Sequence, residues 1–176
     1  MLAYFFVIIS IAVRFLFAPV SFSPLTASLL FFGSRMPRKR AWIPLVMTAG
    51  ADIVLTTVVY GYRLSPEQLF TWAWYAAVLG VGSLLDRTSS PLRLAVAAIA
   101  SSVSFFIVSN FAVWASWEIY PKNLDGLVMC YVAALPFFRT AFVADLFYTA
   151  VLFSIPGLLI HFGQLSHNWH RRSVGE

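Results

Sequence analysis

Four charged residues interrupt long apolar runs: Arg14, Asp52, Arg139 and Asp145. A charge at membrane depth is costly and faces a partner or a cavity. Two bases and two acids therefore point to ion pairing or to the reading of a polar ligand. Arg139 and Asp145 fall on different faces of one helix, so each needs a partner on another element. Arg14 with Asp52 and Arg139 with Asp52 both meet that need, and the sequence does not separate them. Arg14, Asp52 and Asp145 are accordingly read as structural ion-pair residues that fix helix register. The sharper chemistry puts Arg139 or Asp52 against a polar substrate. Asn110 lies deep in Phe106-Ile-Val-Ser-Asn-Phe-Ala-Val-Trp114. Its amide suits an interhelical hydrogen bond, or the carbonyl or amine of a ligand.

Aromatic residues crowd one side of the chain's loops and helix ends: Tyr60, Tyr62, Trp72, Trp74, Tyr75, Trp114, Trp117 and Tyr120. An interfacial belt accounts for such a set. Alternatively, Trp72, Trp114 and Tyr120 wall an outward-facing pocket for a flat ring, because aromatic faces stack on such ligands. No HExxH, GxSxG, P-loop or dinucleotide fingerprint is present, so no catalytic residue is assigned and no enzyme is expected. The single Cys130 excludes an intrachain disulfide and a Cys-rich metal site. His161, His167 and His170 cluster near Arg171 and Arg172. Haem ligation wants buried, opposed histidines, so these read as a solvated or headgroup-facing tail. No metal and no cofactor is expected.

The elements that position these residues follow from composition. Of 176 residues, 60% are hydrophobic and 11% charged. Soluble domains run at about 45–50% apolar and about 25% charged, so the chain is an all-α integral membrane protein. Its net charge of +5 sits between apolar runs, which fits orientation in a bilayer rather than nucleic-acid binding. Leu2–Phe17 lacks a basic n-region and is interrupted by Arg14, so it reads as a retained spanning helix rather than a signal peptide.

The spacing predicts a six-helix transmembrane bundle. The first span is Leu2 to Pro19, followed by a Ser21-Phe-Ser-Pro24 turn with Ser23 as N-cap and Pro24 at the first helical position. The helix this opens, Pro24 to Ser34, has about eleven residues and covers half a bilayer core at ~1.5 Å per residue. Further spans run Ala41 to Tyr62, Ser65 to Leu85 and Pro91 to Ser116. Asn123 to Gly163 is too long for one perpendicular helix, and Pro136 is expected to break it into Leu124–Leu135 and Phe137–Gly163. Residues 1–163 form a single domain and 164–176 a basic cytoplasmic tail. Arg35, Arg38, Lys39 and Arg40 share one loop, Arg87 and Arg93 flank another, and Arg171 and Arg172 lie in the tail. With six passes these share a side, which the positive-inside rule makes cytoplasmic together with both termini.

Two blocks carry a resemblance: Phe106 to Trp114, and Tyr120-Pro-Lys-Asn-Leu-Asp-Gly-Leu-Val-Met-Cys-Tyr-Val-Ala-Ala-Leu-Pro-Phe-Phe-Arg139. With the Phe22-Ser-Pro-Leu-Thr-Ala27 turn they resemble an uncharacterised family of small bacterial six-helix membrane proteins. Its plan is similar to the substrate-binding S subunits of energy-coupling-factor vitamin transporters. That resemblance implies the bacterial inner membrane and an outer-side ligand site, which here takes in Trp72, Asn110, Trp114, Tyr120 and Arg139. It also implies an energy-coupling module as partner, docked in those subunits through an alanine-xxx-alanine pair that the first helix here lacks. The function expected is capture of a small, ring-containing nutrient for uptake. The competing expectation is a non-catalytic subunit packed among other membrane proteins, which should have a solid interior where a carrier has a cavity.

Overall fold

The computed structural model describes residues 1–16, 23–86 and 88–173, with side chains as far as 159. Phe17–Pro19 of the first span, Ser21 and Phe22 of the turn, Arg87, and the side chains of His161, His167, His170, Arg171 and Arg172 therefore lie outside the described residues. Six α-helices follow one another, with no strand among the described residues. They are α1 (Leu2–Leu16), α2 (Leu25–Arg35), α3 (Trp42–Val54), α4 (Glu67–Gly82), α5 (Pro91–Ser116) and α6 (Leu124–Ser173). Among the described residues, three segments are long and apolar enough to cross a membrane: Arg38–Val59, Pro91–Ser116 and Leu124–Leu159. The chain is a membrane protein by these helices.

The short α2 is the centre of the fold. Every residue from Leu25 to Phe32 is buried, and the helix packs on α1, α4, α5 and α6. An all-round apolar helix is stable only inside such a ring. Its lower half is an aromatic core: Phe31 meets Phe6 and Phe153 edge-on, at centroid distances of 4.9 and 5.2 Å. The Arg35 guanidinium stacks over Phe31 at 5.2 Å and Phe153 at 5.9 Å. Glycines let α2 and α4 touch backbone to backbone. A Cβ on Gly33 would run into the Leu79 carbonyl oxygen, and one on Gly82 would meet the Leu30 carbonyl oxygen at 2.5 Å. Close approach through small residues is how helices associate where lipid removes the hydrophobic drive.

Three local features depart from the sequence expectations. Ser23 does not cap α2: Pro24 occupies the cap position, no side chain bonds there, and the Ser23 hydroxyl is buried without a partner among the described residues. The helix begins one residue later than expected, and the Pro24 carbonyl takes the first bond, from the Ser28 N–H at 2.9 Å. Second, α3 widens into a π-helical turn at Leu55–Val59, where the Tyr60 N–H reaches the Leu55 carbonyl at 2.9 Å. Gly61, at φ +69°, ends it, because a left-handed residue closes a helix and only glycine adopts it freely. The Gln68 amide donates to the Thr56 hydroxyl at 2.7 Å and holds the turn against α4.

Third, the break expected at Pro136 is absent. α6 is one continuous helix with Pro136 and Pro156 inside it. A proline removes one donor, but unwinding in an apolar medium would strand several backbone groups, so the helix continues through it. Its start is set by Asn123, whose side chain accepts the Gly126 N–H at 2.9 Å as an N-cap.

Candidate functional site

The central helix α2 is about 16 Å long at ~1.5 Å per residue, against a hydrocarbon core of ~30 Å. The ring of helices around it is longer, so the space beyond its N-terminus is left to be filled. What occupies that place is a cavity of about 400 Å³, within the range of small-molecule sites. Ser23, Leu25 and Thr26 form its floor at the start of α2. Arg14 enters from the end of α1, and Leu55 and Tyr60 from the π-turn. Trp74 and Tyr75 of α4 supply one aromatic wall.

The remaining walls are two helical stripes. On α5, Ser102, the pair Phe105 and Phe106, and the pair Ser109 and Asn110 recur every three to four residues; on α6, Ala134, the pair Phe137 and Phe138, Ala141 and Asp145 do the same. Such spacing lines up one helix face. The rings pack as a lattice: Trp74 against Phe105 at 4.6 Å and Phe106 against Phe138 at 4.6 Å. The Trp74 indole donates to Ser104 at 3.0 Å, which fixes that ring against α5.

Charge is arranged at two poles. At one, Arg14 pairs with Asp52 at 2.5 Å and donates to the Tyr75 hydroxyl at 3.3 Å. The Trp72 indole donates to the other Asp52 oxygen at 3.2 Å, so four residues from three helices form one neutral knot. At the other pole stands Asp145, 7% exposed. It accepts a hydrogen bond from Ser102, and the Thr26 hydroxyl reaches the same carboxyl. Asp145 has no ion-pair partner among the described residues, so its place among the structural ion pairs is corrected: its partners are hydroxyls on α5 and α2. Thr26 belongs to the first turn of α2, where the helix dipole favours a carboxylate.

The residues expected to bind a ligand are dispersed. Asn110 lines the cavity, with one amide N–H bonded to the Phe106 carbonyl at 2.7 Å. Trp72 stands behind the wall and touches the cavity only through Asp52 and its partners. Trp114 stands in the last turn of α5 and Tyr120 in the α5–α6 connection. Trp114 donates to the Pro121 carbonyl at 2.9 Å, and the Lys122 ammonium packs over its ring at 5.7 Å. Tyr120 is half-buried in that loop and does not line the cavity. Arg139 is exposed; it follows Phe138 by about 100° of helix rotation, which turns it out of the cavity stripe, and neither Asp52 nor the cavity receives it.

Sequence reading did not single out Thr26, Ser102, Phe105, Phe106, Ser109 or Phe138 as lining residues. The signal that points to them is the alternation of hydroxyl and ring at helical spacing along α5. No curated protein and no solved structure matches the chain. One family model does match, described as a family of unknown function (DUF6580), over residues 1–165.

Proposed function

From the premise that the chain belongs to the DUF6580 family, whose function is unknown, we propose that it is a six-pass inner-membrane protein. On this reading it captures a small ring-containing molecule for uptake, on the general plan of a transporter's substrate-binding S subunit. The observation that carries the reading is the cavity of about 400 Å³, in which aromatic walls are interspersed with hydroxyl, amide and charged side chains. A subunit serving only as packing material has no use for such a space, and close packing would normally fill it. Rings stack on Trp74, Phe105, Phe106 and Phe138, while Asn110 and Asp145 orient the ligand's polar edge. Both termini lie in the cytoplasm on this reading, and energy for release comes from a partner module, since capture alone moves nothing across the membrane.

The test is native mass spectrometry of the full chain extracted gently from its own membrane. Wild-type protein is expected to carry a small molecule, and a cavity-filling Ala141→Phe variant is expected to lose it while keeping its helical circular dichroism. Retention of the same molecule by the filled variant would place binding elsewhere and end the proposal. Isolation with fixed protein neighbours and no small molecule would favour the subunit reading.

A further inference from the structure

Resting on the binding reading above, the geometry points to a ligand class: we infer that the cavity takes a ring-bearing cation, such as a protonated amine, with Asp145 as its counter-charge. The inference begins from the two acids. Asp52 is neutralised by Arg14 at 2.5 Å and further held by Trp72. Asp145 lines the cavity, is 7% exposed, and meets only hydroxyls among the described residues. Among the described residues, the one other charged residue lining the cavity is Arg14, already engaged by Asp52 and Tyr75. The lined space therefore holds one acid more than its bases can neutralise.

A lone carboxyl at this depth is costly unless something answers its charge. A hydrophobic residue would fill the position on α6 at no such cost, and the surroundings are built to receive the carboxylate: Ser102 donates to it and Thr26 brings it against the first turn of α2. The rings around it suit a cation as well as an apolar ring, because the aromatic face is the negative part of its quadrupole. Phe138 shares the α6 stripe with Asp145, and Phe106 lies on the α5 stripe with Ser102, both lining the same cavity. An anionic ligand meets the opposite situation, a buried acid with no base to spare.

The experiment measures binding of three matched probes to the full chain in lipid nanodiscs: 2-phenylethylamine, its uncharged isostere 2-phenylethanol, and 3-phenylpropanoate. The amine is expected to bind at least about tenfold more tightly than the alcohol, with the carboxylate weakest. Asp145→Asn is expected to erase the preference for amine over alcohol, and Asp145→Glu to keep part of it. Equal binding of amine and alcohol by wild-type protein, or a preference that survives Asp145→Asn, overturns the assignment of the ligand class and leaves the cavity reading standing. If none of the three binds, and none competes with a co-purified molecule, both readings fall. The comparison of probes on wild-type protein needs no variant to fold.

Discussion

Arg14 and Asp52 join α1 to α3 at the edge of the cavity, and the value of that pair depends on what either residue does alone. With the Asp52 side chain 8% exposed and that of Arg14 25% exposed, removing the base strands a nearly buried acid. Breaking a buried pair from one side typically costs about 3–5 kcal/mol, whereas replacing both partners is often near neutral. Arg14→Gln is therefore expected to destabilise by about 3 kcal/mol, the low end because the guanidinium is partly wet. Combining Arg14→Gln with Asp52→Asn should recover most of the loss. A thermal-unfolding double-mutant cycle in detergent checks it; additive losses would mean the two side chains do not act on one another. A second residue-scale case lies outside the spans. Asp86 accepts from the Ser89 hydroxyl at 3.0 Å, the Thr88 hydroxyl at 3.1 Å and the Thr88 N–H at 3.0 Å, and these hold its carboxyl below the ordinary carboxylate range. A depressed folded-state value means the turn's contribution is present above the ordinary range and lost as pH falls through the folded value. Asp86→Asn should thus flatten the acid-side fall of the unfolding temperature below about pH 4, a small effect because the group is exposed; an unchanged acid limb would sink it. At this scale the sequence identified the intramembrane charges but not their partners. Arg14 and Arg139 competed for Asp52 on equal terms, and only the register of α6, which turns Arg139 away, separates them.

At the scale of elements, the crossing of α2 and α4 brings two helix backbones into direct contact. Gly82→Ala drives a Cβ to 2.5 Å from the Leu30 carbonyl oxygen and 3.0 Å from its Cα. Both obstacles are backbone, so the helices must separate. Overpacking of this kind costs typically 1–3 kcal/mol, and the upper part of that range, about 3 kcal/mol, is expected here. Gly80 lies in the same helix with nothing within 4 Å of its would-be Cβ. Gly80→Ala should instead be neutral or stabilising by up to about 1 kcal/mol, the helix-propensity difference. Unfolding temperatures of the two variants side by side decide the matter, and equal effects would refute the close crossing. The helices themselves were largely legible, since Ser90-Pro91 and the Arg35–Arg40 turn punctuate the chain and α2 is short between its flanking signals. What was not legible depends on tertiary partners. The π-turn is held by Gln68 on the next helix, and α6 runs through Pro136 because its surroundings penalise unwinding more than a missing bond. Gly33 and Gly82 gave no local signal, as each looks like an ordinary helix glycine until the other is placed against it.

At the scale of the whole molecule, the cavity is a consequence of length: a short helix at the centre of a ring of longer ones leaves one end unfilled. Which end faces outward decides whether capture from outside is feasible. The cavity lies at the end where α1 finishes, α2 begins and the π-turn closes α3. Trp117 ties that end together by donating to Glu67, while Lys122 accompanies Glu118 at 4.0 Å. At the far end of α2 stand Arg35, Arg38, Lys39 and Arg40. Basic residues are retained on the cytoplasmic side, so the cavity end should face away from the cytoplasm. The membrane class was plain from composition, and the charge partition was readable too; the cavity was not, because no residue count reveals which helix becomes the central one. The orientation can be checked with single cysteines in a Cys130→Ser background, where the native thiol is buried. Glu118→Cys, at a position whose native side chain is 91% exposed, should react with a membrane-impermeant maleimide on intact cells with a permeable outer barrier. Lys39→Cys, in the exposed basic turn, should react only after the membrane is opened. The reverse labelling would turn the cavity toward the cytoplasm. Uptake by capture would then be untenable, and the same aromatic, acidic chamber would have to collect its ligand from inside the cell.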